Sequence, residues 1–516
     1  MSEVTDSQTP TPSAQAQSNA AAAFIEPHAI REMLAIAGPT VAAMTSYTLM
    51  TFTDKWLVSH IGPDPIYVGA QGNGGLAAWI PISVAHGLLT MVNTFVAQNM
   101  GAGKPERGPA YAWNGFWLAM IYWVAILIPL AIAIPFLFDY LAQPSAGQPG
   151  MDPRQATLSA QYGSILLYGA GITLATRAVG QFFYGMHRPG VVMTAGILAN
   201  IVNVFVSCVL VFGNGPMPEA FGLFGRVCSS VGVALNVPAM GIAGSAIGTI
   251  IATAVELAIP LALFLGPKLN RLYATRAAWR PNLTHLKDLS RLGWPGGIMF
   301  GNEMICWGFF MVYLVSRFGP EHTTAGWIAH QYMSLSFMPA VGISVAVTAL
   351  VGKYQGMGRS DIAAARAWLG VKIAMVYMGI CAAIFILFPH TLINLFVDQG
   401  TDPAQRERLL WLGQKFLIAT AAFQLFDAVA MVISGALRGA GDTIVPGIAT
   451  VVSAWLIIVG GGLAMVFFFP GLESLGPWIA AAAYIATLCM ILLVRFISGR
   501  WKSIKLVHGD APLAAG

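Results

Sequence analysis

Three carboxylates stand where carboxylates are costly. Asp54, Glu303 and Asp427 lie in stretches otherwise apolar enough to cross a bilayer. A charged side chain at the bilayer centre costs about 2.5–3.5 kcal/mol on insertion scales. The usual compensation is a water-filled cavity in which the oxygens hold a proton, a metal cation or a cationic ligand. Glu303 follows Pro295 by eight residues and has small neighbours in Gly301 and Gly308, and Asp427 sits in FQLFDAVAMVISG with no adjacent base. Asp54 precedes Lys55, so a local ion pair or a snorkelling arrangement stands beside the functional reading. Glu256, in IIATAVELAIPL, is either a hydrogen-bonding residue between helices or a cavity residue. Arg177 reads as a partner charge. Met304, Trp307, Gln331 and Tyr332 could line a cavity, since thioethers and aromatic faces suit flat cations; His330 reads as a packed polar residue.

The elements that must position these residues follow from composition. The 516-residue chain is 56% hydrophobic and 9% charged, with a mean hydropathy of +0.68. Soluble domains carry about 25% charged residues, so this chain is a polytopic membrane protein. Continuous apolar runs of about 20 residues predict an all-α fold with twelve spans, near 33–58, 74–98, 113–138, 158–182, 190–212, 241–266, 291–316, 326–351, 367–391, 412–436, 446–469 and 475–497. Residues 1–28 contain neither a basic n-region nor an apolar core and read as a disordered tail rather than a signal peptide.

Basic residues orient the spans. With the N-terminus inside, eighteen lysines and arginines fall in internal loops and flanks and six in external ones, while Arg177, Lys372 and Lys415 lie within spans. Both termini are therefore expected in the cytoplasm, together with the basic linker 267–290. That linker divides the spans six and six, and the halves are related in sequence. VAQNMGAGKPER at 96–107 aligns with VGKYQGMGRSDI at 351–362, an offset of 255, and the pairs Pro39/Pro295 and Gly185/Gly439 differ by 256 and 254. These landmarks predict two pseudo-symmetric six-helix bundles, 29–266 and 291–497, followed by a cytoplasmic tail, 498–516. Parallel duplication of this kind is typical of secondary transporters.

No GxxxxGK[ST] loop, HExxH helix, nucleophile elbow or clustered Cys/His set is present, so the chain reads as a transporter and not an enzyme, with no cofactor. Cysteines at 208, 228, 306, 381 and 489 form no CxxC pair, and no disulfide framework is expected; a Cys208–Cys228 bridge is disfavoured. Asn282-Leu283-Thr284 is a glycosylation sequon, but its place in the linker keeps it unmodified. The glycine-containing loops at Gly101/Gly103 and Gly439/Gly441 read as tight turns.

SGALRGAGDT at 434–443 resembles the G-x-LRG-x-G-DT signature of multidrug and toxic compound extrusion (MATE) transporters. Gly241–Thr249 is similar to that family's GxxGAAxAT, Val96-Ala97-Gln98 with Gly101 and Gly103 to its loop after span two, and Asn302-Glu303 with Trp307 to its seventh span; Pro39 matches its kinking proline. The resemblance runs from about residue 30 to 497. It implies two six-helix bundles forming a V around a central cavity, and export of cationic or amphipathic small molecules in exchange for H+ or Na+. It also implies roles for Glu303 and Asp427 as in the NorM-like branch, with Na+ on those two acids if sodium is the coupling ion, and for Asp54 in span one. DinF-like members carry Asn and then Asp in span five; here Asn203 is followed by Ser207, one carboxylate fewer, which shifts weight to the C-terminal pair.

These readings predict an antiporter of the inner membrane that acts by alternating access. Its partners would be a cationic small molecule and the bilayer, with no nucleic acid, and it would be a monomer. The rival is a lipid-linked oligosaccharide flippase of related fold. Fourteen spans and a basic cavity would suit that rival; twelve spans and mostly acidic mid-span charges do not.

Overall fold

The computed structural model describes residues 27–62, 66–144, 151–396 and 403–507. The described residues form twelve long helical segments. These are α1 (Pro27–Val58), α2 (Ile66–Gly101), α3 (Pro105–Ala142), α4 (Pro153–Gly185), α5 (Pro189–Phe212), α6 (Ile242–Phe264), α7 (Leu283–Phe318), α8 (Pro320–Gly356), α9 (Ser360–Leu387), α10 (Pro403–Ala440), α11 (Ile444–Phe468) and α12 (Leu475–Ile497). Eleven are long and apolar enough to cross a membrane. The twelfth, α4, carries Arg154, Gln155, Gln161, Arg177 and Gln181, which lower its hydropathy. At 33 residues it would be about 50 Å long, enough to span. The side chain of Asp152 caps it by accepting from the Arg154 and Gln155 amides. Most helices overrun their predicted limits because polar turns at their ends remain helical beyond the apolar run. The tails fall largely outside the described residues.

The halves pack alike. In the first, α2 packs on α4, α4 on α6 and α5 on α6; in the second, α8 packs on α10, α10 on α12 and α11 on α12. Proline recurs inside α1, α2, α7 and α8 at Pro39, Pro81, Pro295 and Pro339. Three helices carry π-helical stretches, at Trp123–Leu127, Phe310–Val315 and Ala454–Gly461. Such irregularities often mark functional sites.

The connection between α6 and α7 defines one end of the molecule, here the linker end. It holds a short helix, Pro267–Tyr273, and is fastened to α3: Trp113 Nε1 donates to the Thr275 carbonyl and Trp117 Nε1 to that of Trp279, each at 2.7 Å. Asn282 is exposed in this connection, its side chain caps α7, and its amide donates to Asn114 Oδ1 at 2.8 Å.

Contacts between the halves cluster toward the linker end. Thr94 Oγ1 and Gln98 Nε2 of α2 donate to the Arg438 and Gly439 carbonyls of α10. A Cβ on Gly87 would collide with the Gly296 carbonyl, and one on Gly101 with that of Lys353; glycine lets these backbones touch. The first helix belongs to both halves. Ala29, Met33, Ile36 and Ala37 lie in a core otherwise built from α8, α9, α10, α12 and Trp501. Beyond Pro39 the same helix packs on α5, where Asn200 Nδ2 donates to the Ser46 carbonyl at 2.6 Å. Glu32 fixes the lower part, accepting from Lys353 Nζ at 2.9 Å, Tyr354 OH at 2.8 Å and Arg366 Nε at 3.0 Å.

Candidate functional site

The first-half site assembles on four helices. Asp54 is on α1, Asn203 and Ser207 lie one turn apart on α5, Ser245 and Thr249 one turn apart on α6, and Gln71 on α2. An i, i+4 spacing puts each pair on one helix face. Thr249 Oγ1 donates to Asp54 Oδ2 at 3.1 Å, and Asn203 and Ser207 lie near the same carboxylate. Asn203 Nδ2 donates to Ser207 Oγ at 3.4 Å, and Gln71 Nε2 to Tyr162 OH and Ser245 Oγ at 3.4 and 3.5 Å. A Cβ on Gly248 would strike Ser207 Oγ, so the glycine lets α6 close on α5 here. Asp54 is 5% exposed and turned inward, whereas Lys55 is exposed, so the carboxylate engages Thr249 rather than its neighbour.

The chemistry of this cluster lies in what it leaves over. Asp54 Oδ1, Gln71 Oε1 and Asn203 Oδ1 are buried without a hydrogen-bond donor among the described residues. All three are acceptors. Unpaired buried oxygens are costly, and a group of them is satisfied by ordered water, a proton or a cation such as Na+, which takes oxygen ligands.

The second-half acids lie on α7 and α10. Glu303 and Asp427 are half-buried and within electrostatic reach of each other, and both charges reach Tyr484 of α12. The Tyr484 hydroxyl and Asn302 Nδ2 are buried without hydrogen-bond partners among the described residues. Trp455, inside the π-helical stretch of α11, donates to Asn302 Oδ1 at 2.7 Å and so fixes the residue next to Glu303.

The remaining sequence candidates separate. Glu256 and Arg177 share a pocket with Tyr47, Tyr184 and Asn200, with the Arg177 guanidinium 5.2 Å from the Tyr47 ring centroid. Tyr332 donates to the Leu392 carbonyl at 2.8 Å, and its ring packs on Phe385 and Phe396. Trp307 and Trp327 flank His330 at 6.1 and 5.4 Å, which makes His330 a packed residue. Gln331 is exposed and Met304 half-buried. Sequence reasoning missed Gln71, Ser245 and Glu32. Ser245 was within sight, since it stands four residues before Thr249 in a motif already singled out; Glu32 gave no local signal.

The 434–443 motif is structural. Arg495 grips Asp442 through Nε and Nη2 at 2.7 and 3.2 Å, and Thr443 Oγ1 donates to the Leu292 carbonyl at 2.7 Å. It ties α10 to α12 and α7 while its backbone receives α2.

The MatE family model matches residues 39–209 and 299–462. The chain belongs to the MatE family. It is 28% identical over 474 residues to a probable multidrug resistance protein NorM of Mesorhizobium japonicum, covering 91% of this chain and 93% of that one. A protein of the same description from Burkholderia pseudomallei is 28% identical over 463 residues, covering 89% and 91%. A MOP superfamily transporter from Pyrococcus furiosus, described as having a binding pocket of reverse polarity, superposes with a TM-score of 0.77 at 20% identity, covering 96% of this chain and all of that one. An outward-facing multidrug resistance MATE family transporter superposes at 0.73 and 19% identity, with 96% and 100% covered. This MatE-family chain is thus a multi-pass membrane protein with the twelve-helix, two-bundle fold of those transporters.

Proposed function

We propose that this protein is an ion-coupled antiporter that exports cationic or amphipathic small molecules across the bacterial inner membrane in exchange for H+ or Na+. The observation that carries this reading is the set of buried acceptor oxygens without donors around Asp54, together with the Glu303–Asp427 pair in the other half. Two bundles that meet at one end can rock against each other and expose a region between them to either side in turn, as alternating access requires. The multidrug resistance descriptions of the NorM relatives support the substrate class.

The excess of basic residues on the 267–290 linker and its neighbouring loops sets the linker end in the cytoplasm. Bundles joined at that end correspond to a state open to the outside, in which a proton or Na+ takes the carboxylate oxygens and substrate leaves. With the opposite end closed, ion-free carboxylates attract the cationic substrate. Ion and substrate compete for the same negative charge, and that differential affinity couples their fluxes.

The test is transport in proteoliposomes with pH and sodium gradients imposed separately. Glu303→Gln and Asp427→Asn keep size but lose charge, so each is expected to abolish gradient-driven export while leaving expression intact. Groups acting as one unit are non-additive, so the double variant should be no worse than either single. Wild-type export by both single variants under both gradients would remove the second-half pair from coupling.

A further inference from the structure

The chain between α5 and α6 folds back as a cap at the end opposite the linker. A short helix, Gly222–Ala234, leads into a return segment whose backbone pairs with α5: Asn214 N donates to the Val237 carbonyl, Met240 N to Leu210 and Gly241 N to Val211. A Cβ on Gly232 would run into the Gly213 carbonyl, so the cap sits against the backbone of the α5 terminus. Cys208, in the last turns of α5, and Cys228, in the short helix, are both fully buried in one apolar cluster with Leu57, Phe212 and Phe221. Their thiols lie close enough to interact, and the Cys208 sulfur is 3.9 Å from that of Met217. The cap also touches α1, with the Trp56 and His60 rings 4.7 and 5.3 Å from Phe221. Cys208 adjoins Ser207, and Leu57 follows Asp54 by three residues, so the cap packs on the ends of the two helices that carry Asp54 and Ser207.

We propose that Cys208 and Cys228 are joined by a disulfide in the working protein, stapling this cap onto the ends of the helices that carry Asp54 and Ser207. Sequence alone disfavoured the bridge because Cys208 lies within a span; the fold brings Cys228 to it across a loop that returns to its own helix. The proposal rests on the orientation given above, which puts the cap in the oxidising compartment outside the membrane. The oxidant is a disulfide of that compartment, carried by a thiol oxidase protein or a small molecule. One cysteine thiolate attacks it to give a mixed disulfide, and the second displaces the reduced thiol. One S–S bond forms, one S–S bond of the oxidant becomes two thiols, and two electrons pass to it; the two thiol protons end on the reduced oxidant. Exchange occurs as the hairpin folds, before both sulfurs are sealed in. Afterwards burial shields the bond from reductants.

The test uses full-length protein from intact cells, denatured in SDS with excess N-ethylmaleimide and no reductant, then read by mass spectrometry. The expected result is three alkylated cysteines, Cys306, Cys381 and Cys489, with a linked peptide pair containing Cys208 and Cys228; prior reduction gives five. Cys208→Ser should leave all four remaining cysteines alkylated. Five alkylated cysteines without reductant would overturn the proposal. Oxidising the reduced, purified protein in detergent with oxidised glutathione then locates the failure. If the link forms there, the compartment was wrong and the orientation fails with it; if it does not, the thiol geometry was wrong and the orientation stands. Limited proteolysis within 213–240 should be at least tenfold faster for Cys228→Ser than for the unreduced wild type; equal rates would remove the stapling role.

Discussion

Replacing Glu32 by Gln should loosen the first part of α1 from the second half without disturbing either ion site. The Glu32 side chain is 12% exposed and serves two cations, Arg366 at 4% and Lys353 at 22%. Gln keeps the shape and one acceptor oxygen, so what is lost is the negative charge that Arg366 and Lys353 share. Removing one partner of a buried pair costs about 3–5 kcal/mol. The partial exposure of Lys353 sets the expectation at the low end, about 3 kcal/mol. Local opening is read by amide hydrogen exchange. At about 1.4 kcal/mol per decade, peptides covering residues 28–40 should exchange roughly 100-fold faster in Glu32→Gln, while peptides from α5 and α6 stay unchanged. Glu32→Gln with Arg366→Gln should open less than the sum of the single effects, because both changes remove the same ion pair. Unchanged exchange over 28–40, or strictly additive effects, would refute the view that these charges hold α1 in place.

Thr249→Val deletes the hydroxyl that donates to Asp54 at 3.1 Å while keeping its shape; with about 1.5 kcal/mol for a hydrogen bond to a charged group, the ion concentration giving half-maximal transport should shift about tenfold. His187, between α4 and α5, donates from Nε2 to the Ala349 carbonyl at 3.1 Å, and burial pushes its pKa down to about 4. A depressed histidine contributes stability that is complete above the unfolded value of about 6.5 and is lost as pH falls toward 4, by up to about 1.4 kcal/mol per unit. Melting in detergent should show that slope, and His187→Asn should flatten it. Cysteine introduced as Thr284→Cys, at an exposed position, should resist an impermeant maleimide added to intact cells; rapid labelling would reverse the orientation.

Much of the architecture was legible because a bilayer imposes lengths: apolar runs, internal prolines and one repeated offset were enough for twelve helices in two related halves. The ion site was legible only in pieces. Asp54 and Asn203 announced themselves as polar residues in hydrocarbon, but their meeting depends on the rotation of α1 against α5 and α6, which a local pattern does not encode. Ser207, read as a weakness, lies beside the carboxylate with a hydroxyl, and Thr249 and Gln71 supply the polar groups that a second acid would have brought. The 434–443 stretch was legible as a family signature, but its work as a girder between α10, α12 and α7 was not, because Arg495 and Leu292 come from elsewhere in the chain. Glu32 was invisible because its partners come from more than 300 residues away.

The sharing of α1 has a mirror. While Ala29–Ala37 lie in the second half, the opening turns of α7 lie against the first, with Gly293 and Gly297 on the backbone of Leu88 and Val84 in α2. Each half lends its leading arm to the other, as two subunits do in a swapped dimer, but here on one continuous strand. Fragments 1–266 and 267–516, made as separate polypeptides, would each carry an arm with no cradle of its own and a cradle with no arm. Produced together, they would be expected to complement one another; produced alone, each would tend to recruit a second copy of itself. The connection between α6 and α7 then governs which partner is chosen more than whether the arms are exchanged.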